Sequence, residues 1–294
     1  MSYVAPAELI TKMVDAGESK IFMSTRDTLV RAYMAGALLT LAAAFAVTMT
    51  VQTGSALIGA MLFPVGFCML YLLGYDLLTG VFVLAPLAWL DKRPGVTAKG
   101  VLRNWGLVFV GNFAGAFTVA VMMAIVFTYG FSTPPNEVGL AISEIGHGRT
   151  VGYAEHGAGG MLTLFIRGVL CNWMVSTGVV GAMIAKDVTG KVIAMWMPIM
   201  LFFAMAFEHS VVNMFLFPSG LLLGAEFTVM DYLVWNEIPT VVGNLVGGLL
   251  FTGLAIYFTH GRTAAKRVPA GVAAVGAEVG AEGSKERELA NEPA

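Results

Sequence analysis

The chain has 294 residues and a formal net charge of -2, with 57% hydrophobic and only 12% charged residues, about half the charged fraction of an ordinary soluble domain. Together with a mean hydropathy of +0.77, this excludes a soluble globular domain and implies an all-α integral membrane protein. The absence of a basic stripe excludes a nucleic-acid partner.

Residues 1–28 set Lys12, Lys20 and Arg26 among Leu9, Ile10, Met13, Val14, Ile21 and Phe22. This pattern suits a cytoplasmic amphipathic helix, lying at the membrane surface or simply solvated. No small-residue cleavage site follows, so no removed targeting peptide is expected. A first span is expected over 29–51. The next apolar run, 56–90, would reach about 50 Å as one straight helix, against a hydrocarbon core of about 30 Å. It must break, and Pro64, Gly66 and the cluster Gly74-Tyr75-Asp76-Leu77-Leu78-Thr79-Gly80 mark where. A charged turn over 91–103 leads to a third span over 104–129.

A long Gly- and Pro-rich segment over 131–160 carries Glu137, Glu144, His147, Arg149, Glu155 and His156 and is expected as an extracytoplasmic loop. A fourth span follows over 161–185, then a tight turn over 186–191. The fifth run, 192–224, is again too long for one crossing and is interrupted by Glu208, His209 and Asn213. The sixth span is expected over 240–258, and the tail over 261–294 lacks any apolar run and reads as disordered. Cys68 and Cys171 each lie inside a span and are expected as buried thiols. Most Lys and Arg fall in the leader, the turns at 91–103 and 186–191, and the tail. The positive-inside rule therefore puts both termini in the cytoplasm of a bacterial-type inner membrane, with six crossings.

The two halves repeat. Val110-Gly111-Asn112-Phe113-Ala114-Gly115 returns as Val242-Gly243-Asn244-Leu245-Val246-Gly247, Asp76 meets Glu208, and Pro64 meets Pro198, all at nearly one offset. A duplicated unit of three crossings must insert its second copy upside down. The expectation is an inverted 3+3 repeat, residues 29–130 and 161–260, with broken second and fifth helices. Inverted repeats with paired breaks mark a transport pathway near the midplane.

His209 lies in the middle of a span, where an ionisable group is expensive and points to function. It reads either as a proton-handling group opposite a small anion or as a structural histidine bonded to Thr79 or Asn244. Asp76 and Glu208 read as acceptors for N–H groups freed at the breaks, or as relay carboxylates. Phe63, Phe67, Phe202 and Phe203 read equally as core or as a hydrophobic gate. His147 and His156 lie among glycines and read as solvated, so no metal site is expected. No nucleotide or catalytic motif supports an enzyme, and no cofactor is expected.

The segments Gly74-Tyr75-Asp76-Leu77-Leu78-Thr79, Leu170-Cys171-Asn172-Trp173-Met174-Val175, Phe207-Glu208-His209-Ser210 with Asn213-Met214-Phe215, and Ile238-Pro239 with Gly243-Asn244 resemble the formate/nitrite transporters. The resemblance implies an aquaporin-like bundle of six spans, five protomers around an axis, and one anion pore in each protomer. It also implies that His209 handles a proton, that Thr79 shares hydrogen bonds with it, and that Asn244 faces the central chamber. Phe67 and Phe202 would form the inner constriction, and Leu77, Leu78 and Val175 the outer one.

Where the family commonly carries a vestibule lysine, this chain has His156; either His156, Arg149 or Arg167 attracts anions instead, or the vestibule is weakly charged and transport responds differently to pH. The implied substrate is formate with a proton. Nitrite or hydrosulfide is the alternative within the family, and a neutral-solute pore or the anchoring subunit of an oxidising complex lies outside it.

Overall fold

The computed structural model describes residues 3–261; the tail expected to be disordered lies, but for Gly261, outside the described residues. Among the described residues, four helices are long and apolar enough to cross a membrane: α2 (Thr25–Thr53), α6 (Ala98–Phe127), α9 (Gly157–Ile184) and a last helix, Val229–His260. Their 28 to 32 residues amount to about 42–48 Å of helix. Shorter apolar pieces supply the other two crossings: α3 (Ala56–Leu62) and α4 (Pro64–Leu72) with α5 (Leu78–Leu90), and α10 (Val188–Ala204) with α11 (Ser210–Leu222).

Local chemistry sets the ends. Ser24, Thr97 and Asp187 each accept a backbone N–H from the first turn of α2, α6 and α10, as N-caps do. Gly54 closes α2 in the left-handed region at φ 65°.

The two halves pack alike. In the first, α2 crosses α6 so closely that a Cβ on Gly115 would lie 2.0 Å from the Tyr33 carbonyl oxygen; in the second, a Cβ on Gly247 would lie 2.0 Å from that of Val169. Only glycine permits such contact between membrane helices. The exposed apolar residues of α6, such as Val110, Met122 and Val126, suit a face turned to lipid.

Three regions differ from the sequence expectations. The leader helix α1 (Pro6–Phe22) turns its apolar face to protein: Leu9, Ile10, Met13, Val14 and Ile21 are buried in the core. Gly17 sits so close to α5 that a Cβ there would meet the Leu84 carbonyl oxygen at 2.1 Å. The segment expected as a loop contains α7 (Glu137–Gly148), capped by Asn136 and burying Val138 and Ile142, and a short α8 (Val151–Ala154). The last helix starts at Val229, and its Leu233–Glu237 and Leu249–Leu254 stretches are π-helical.

Candidate functional site: two opposed half-helices

The two breaks are built by one hydrogen-bonding scheme. Helix α4 ends with Tyr75 N–H on the Leu70 carbonyl and Gly74 N–H on that of Tyr71; α10 ends with Phe207 N–H on Phe202 and Ala206 N–H on Phe203. These are Schellman turns, which need a left-handed residue just past the helix. Gly74 supplies it at φ 73° and Ala206 at φ 52°.

An asparagine from the middle of a neighbouring long helix then braces each break. Asn112 accepts the Leu78 N–H at 2.8 Å and donates to the Ala32 and Asp76 carbonyls at 2.7 and 2.9 Å. Asn244 accepts the Ser210 N–H at 3.0 Å and donates to the Gly168 and Glu208 carbonyls at 2.8 Å each. Non-helical backbone at membrane depth is tolerated when it is satisfied in this way.

Two half-helices of 13 residues each, α5 and α11, restart from these breaks with their N-terminal ends close together, because Thr79 Oγ1 lies 3.4 Å from His209 Nε2. Asn172 ties the group together, donating to the Thr79 carbonyl at 3.1 Å and the Asn244 carbonyl at 2.7 Å. His209 is itself the N-cap of α11: its Nδ1 accepts from Val211 N–H at 3.2 Å and Val212 N–H at 3.4 Å. With Nδ1 an acceptor, the neutral ring carries its hydrogen on Nε2, facing Thr79. A proton can be added only at Nδ1, and only if the ring lets go of those N–H groups. The Phe202 ring stands 5.6 Å from the histidine ring, and Phe63 packs edge-on against Phe202 and stacks on Phe203.

The carboxylates next to the breaks do not cap the freed N–H groups; Asn112 and Asn244 do. Asp76 pairs with Lys20 of α1. Glu208, fully buried, accepts from Tyr153 Oη at 2.8 Å, Asn213 Nδ2 at 2.9 Å, Asn236 Nδ2 at 3.2 Å and Arg149 at 3.4 Å. Arg167 in turn donates to Tyr153 Oη at 2.8 Å. Burial first, and then the Glu208 charge, pushes the Tyr153 hydroxyl up to about 12, so it stays a donor throughout the physiological range.

Cavities approach the centre from two directions. One, of about 270 Å³, is lined by Lys20 and Asp76 together with Phe67 and Leu77. The other, of about 450 Å³ between α2, α7 and the second break, is lined by Phe202, His209 and Arg149. The cavities thus join Phe67 with Leu77 and set Phe202 apart with His209, a different pairing from the expected inner and outer constrictions. Leu78 and Val175 are buried, and the Leu78 amide is the group that Asn112 holds. Asn244 has both ends of its amide committed to backbone, so its side chain braces the break rather than standing free in a chamber. His156 and Arg167 line a separate recess of about 730 Å³ beside α8. Among the described residues no cluster of three or more His, Cys, Asp or Glu could hold a metal.

Sequence reasoning passed over Asn112, Asn172, Asn236, Tyr153 and Lys20 as parts of this site. For Asn112 the signal was present, as the repeat partner of Asn244.

A membrane bundle of inverted halves, with opposed half-helices at its centre, has the architecture of a transport protein. The formate/nitrite transporter family model matches residues 7–258, and the chain belongs to that family. It stands among membrane transporters and channels, not enzymes. A probable formate transporter of Methanothermobacter thermautotrophicus is 31% identical over 274 residues, 88% of this chain and 98% of that protein. The formate channel FocA of Haemophilus influenzae is 32% identical over 241 residues, 73% of this chain and 80% of its own length. Among solved structures, an FNT family ion channel matches with a TM-score of 0.72 at 22% identity, over 85% of this chain and 98% of that one. A pentameric formate channel with formate bound matches at 0.65 and 24%, over 80% and 97%. At such identities the structural likeness bears on the fold alone.

Proposed function

We propose that this protein is a pore for small monovalent anions, formate foremost, which cross each protomer between the opposed half-helices. His209, once it has gained a second proton at Nδ1, gives its Nε2 proton to the anion, or as the imidazolium pairs with it in transit. The observation that carries the reading is the approach of two half-helix N-termini across Thr79 and His209. Each N-terminus presents a partial positive charge, and the donors left to face the gap are the His209 Nε2–H and the Thr79 hydroxyl. An unpaired anion in an apolar core loses many kcal/mol of hydration, and two helix ends with an Nε2–H and a hydroxyl between them offset part of that loss. The relatives named as formate channels and transporters favour formate over nitrite or hydrosulfide.

In this reading Phe67 and Leu77 restrict the pore on the α1 side, Phe202 restricts it beyond His209, and Leu78, Val175 and Asn244 hold the walls. Arg149, which lines the cavity with His209, is the strongest candidate to attract anions, ahead of His156 and Arg167 in their separate recess. Residues 29–130 and 161–260 are the two repeats, both termini face the cytoplasm, and five copies assemble. Proteoliposomes test the reading. Formate uptake without glycerol-driven swelling is the expected result, whereas glycerol permeation without formate uptake would replace it with a neutral-solute pore.

A further inference from the structure

Lys12 of α1, Lys186 of the turn between α9 and α10, and Lys191 of the first turn of α10 surround an open recess of about 400 Å³ whose floor includes Tyr71 and Met183. Tyr71 and Met183 also line the cavity of about 270 Å³ that holds Lys20 and Asp76, so the recess adjoins that cavity. Its walls are fixed relative to each other: Val4 N–H bonds the Ile184 carbonyl at 2.9 Å, and Tyr3 pairs with Ala185. Two acids stand near. Glu8 lies 3.6 Å from Lys12, and Asp187 is engaged with the Gly190 N–H at 2.7 Å as the cap of α10. Among the described residues neither Lys186 nor Lys191 has an ion-pair partner.

We propose that this recess binds a phosphate group, and that the bound group narrows the entrance to the cavity behind it. A small monovalent anion would leave most of the space empty and one of the two unpaired ammonium groups uncompensated. A multiply charged phosphate answers several point charges at once, the task for which lysine is suited. Basic recesses on the face that the positive-inside bias assigns to the cytoplasm also suit lipid phosphates, so the phosphate could come from a headgroup or from a soluble ester. Binding is independent of the pore reading, and only the narrowing of the entrance rests on it.

The test is calorimetric titration of the purified full-length protein with inorganic pyrophosphate at low salt, with no transport assay involved. The double variant Lys186→Gln/Lys191→Gln is expected to bind at least tenfold more weakly, Lys12→Gln to bind more weakly than wild type, and Lys99→Gln, an exposed lysine elsewhere, to bind as wild type. Repeating the titration in nanodiscs separates the sources. Weaker pyrophosphate binding when phosphatidylglycerol replaces phosphatidylcholine identifies a lipid headgroup as occupant; equal binding identifies a soluble phosphate. No binding to wild type, or equal binding by wild type and both lysine variants, overturns the proposal.

Discussion

The two breaks share a skeleton and differ in what hangs on it. Each has a Schellman turn, a bracing asparagine and an N–H to a carbonyl of the neighbouring helix, Asp76 to Arg31 and Glu208 to Arg167. At the cap of the half-helix, however, the first copy has Leu77 and the second His209. The first carboxylate meets one cation from the leader helix, while the second gathers four donors from α8, α11, the last helix and Arg149. Backbone at membrane depth must be satisfied in both copies, which fixes the skeleton. Side chains on top of it are free to diverge, and only the second copy has a titratable residue as the cap of its half-helix.

If the skeleton is shared, Asn112→Ala and Asn244→Ala should each be severe and alike. Each leaves two carbonyls and one N–H without their partner, a loss of about 4 kcal/mol at about 1–3 kcal/mol per orphaned group. Melting curves in detergent would break the comparison if only one of the two mattered. The carboxylates should behave unequally. Glu208→Ala takes an acceptor from four donors; Asn213 keeps Asn236 Oδ1 and Asn236 keeps the Arg149 carbonyl, which leaves the Tyr153 hydroxyl and Arg149 unpaired at an expected cost of about 3 kcal/mol, against about 1 kcal/mol for Asp76→Ala, whose partner Lys20 keeps some contact with solvent; equal losses would erase the distinction.

Tyr153→Phe removes one donor to Glu208 and should cost about 1 kcal/mol. Because the Tyr153 hydroxyl is pushed up to about 12 from an unfolded value near 10, its contribution is fully present below that unfolded value and fades as pH rises through about 12. The gap between wild type and variant, read from melting temperature, should therefore stay constant from about pH 6 to about pH 9. Ala206→Gly should run the other way. It gives the second turn the residue that the first already has, and relief of the left-handed alanine is worth about 1 kcal/mol of added stability. A lower melting temperature would show that the alanine side chain packs there.

The breaks were legible because an apolar run too long for one crossing, interrupted by Asp76 or by Glu208 and His209, has few alternatives in lipid. The inversion was legible because three crossings is an odd number. The partners of those residues were not. Which donor reaches Glu208 depends on how α8 and the last helix approach it, and nothing in the local pattern around Tyr153 or Asn236 encodes that approach. That the leader's apolar stripe packs on protein was not legible, because such a stripe looks the same whether it covers a bilayer or α5. Helix α7 was hidden among glycines and prolines, although Asn136 before Val138, Ile142 and Ile145 is a capped amphipathic turn pattern. Asn244 was anticipated as a pore group, yet an asparagine beside broken backbone has more to bond in the backbone than in the pore.

The central claim is that His209 adds titratable chemistry to a shared skeleton. Formate uptake into proteoliposomes at several external pH values, with His209→Asn against wild type, tests it most directly, because asparagine can still cap α11 but cannot take up a proton. Wild-type uptake is expected to rise as external pH falls, and the variant to fold but lose this dependence. A variant with the wild-type pH profile would contradict it, leaving His209 as the cap of a half-helix and no more.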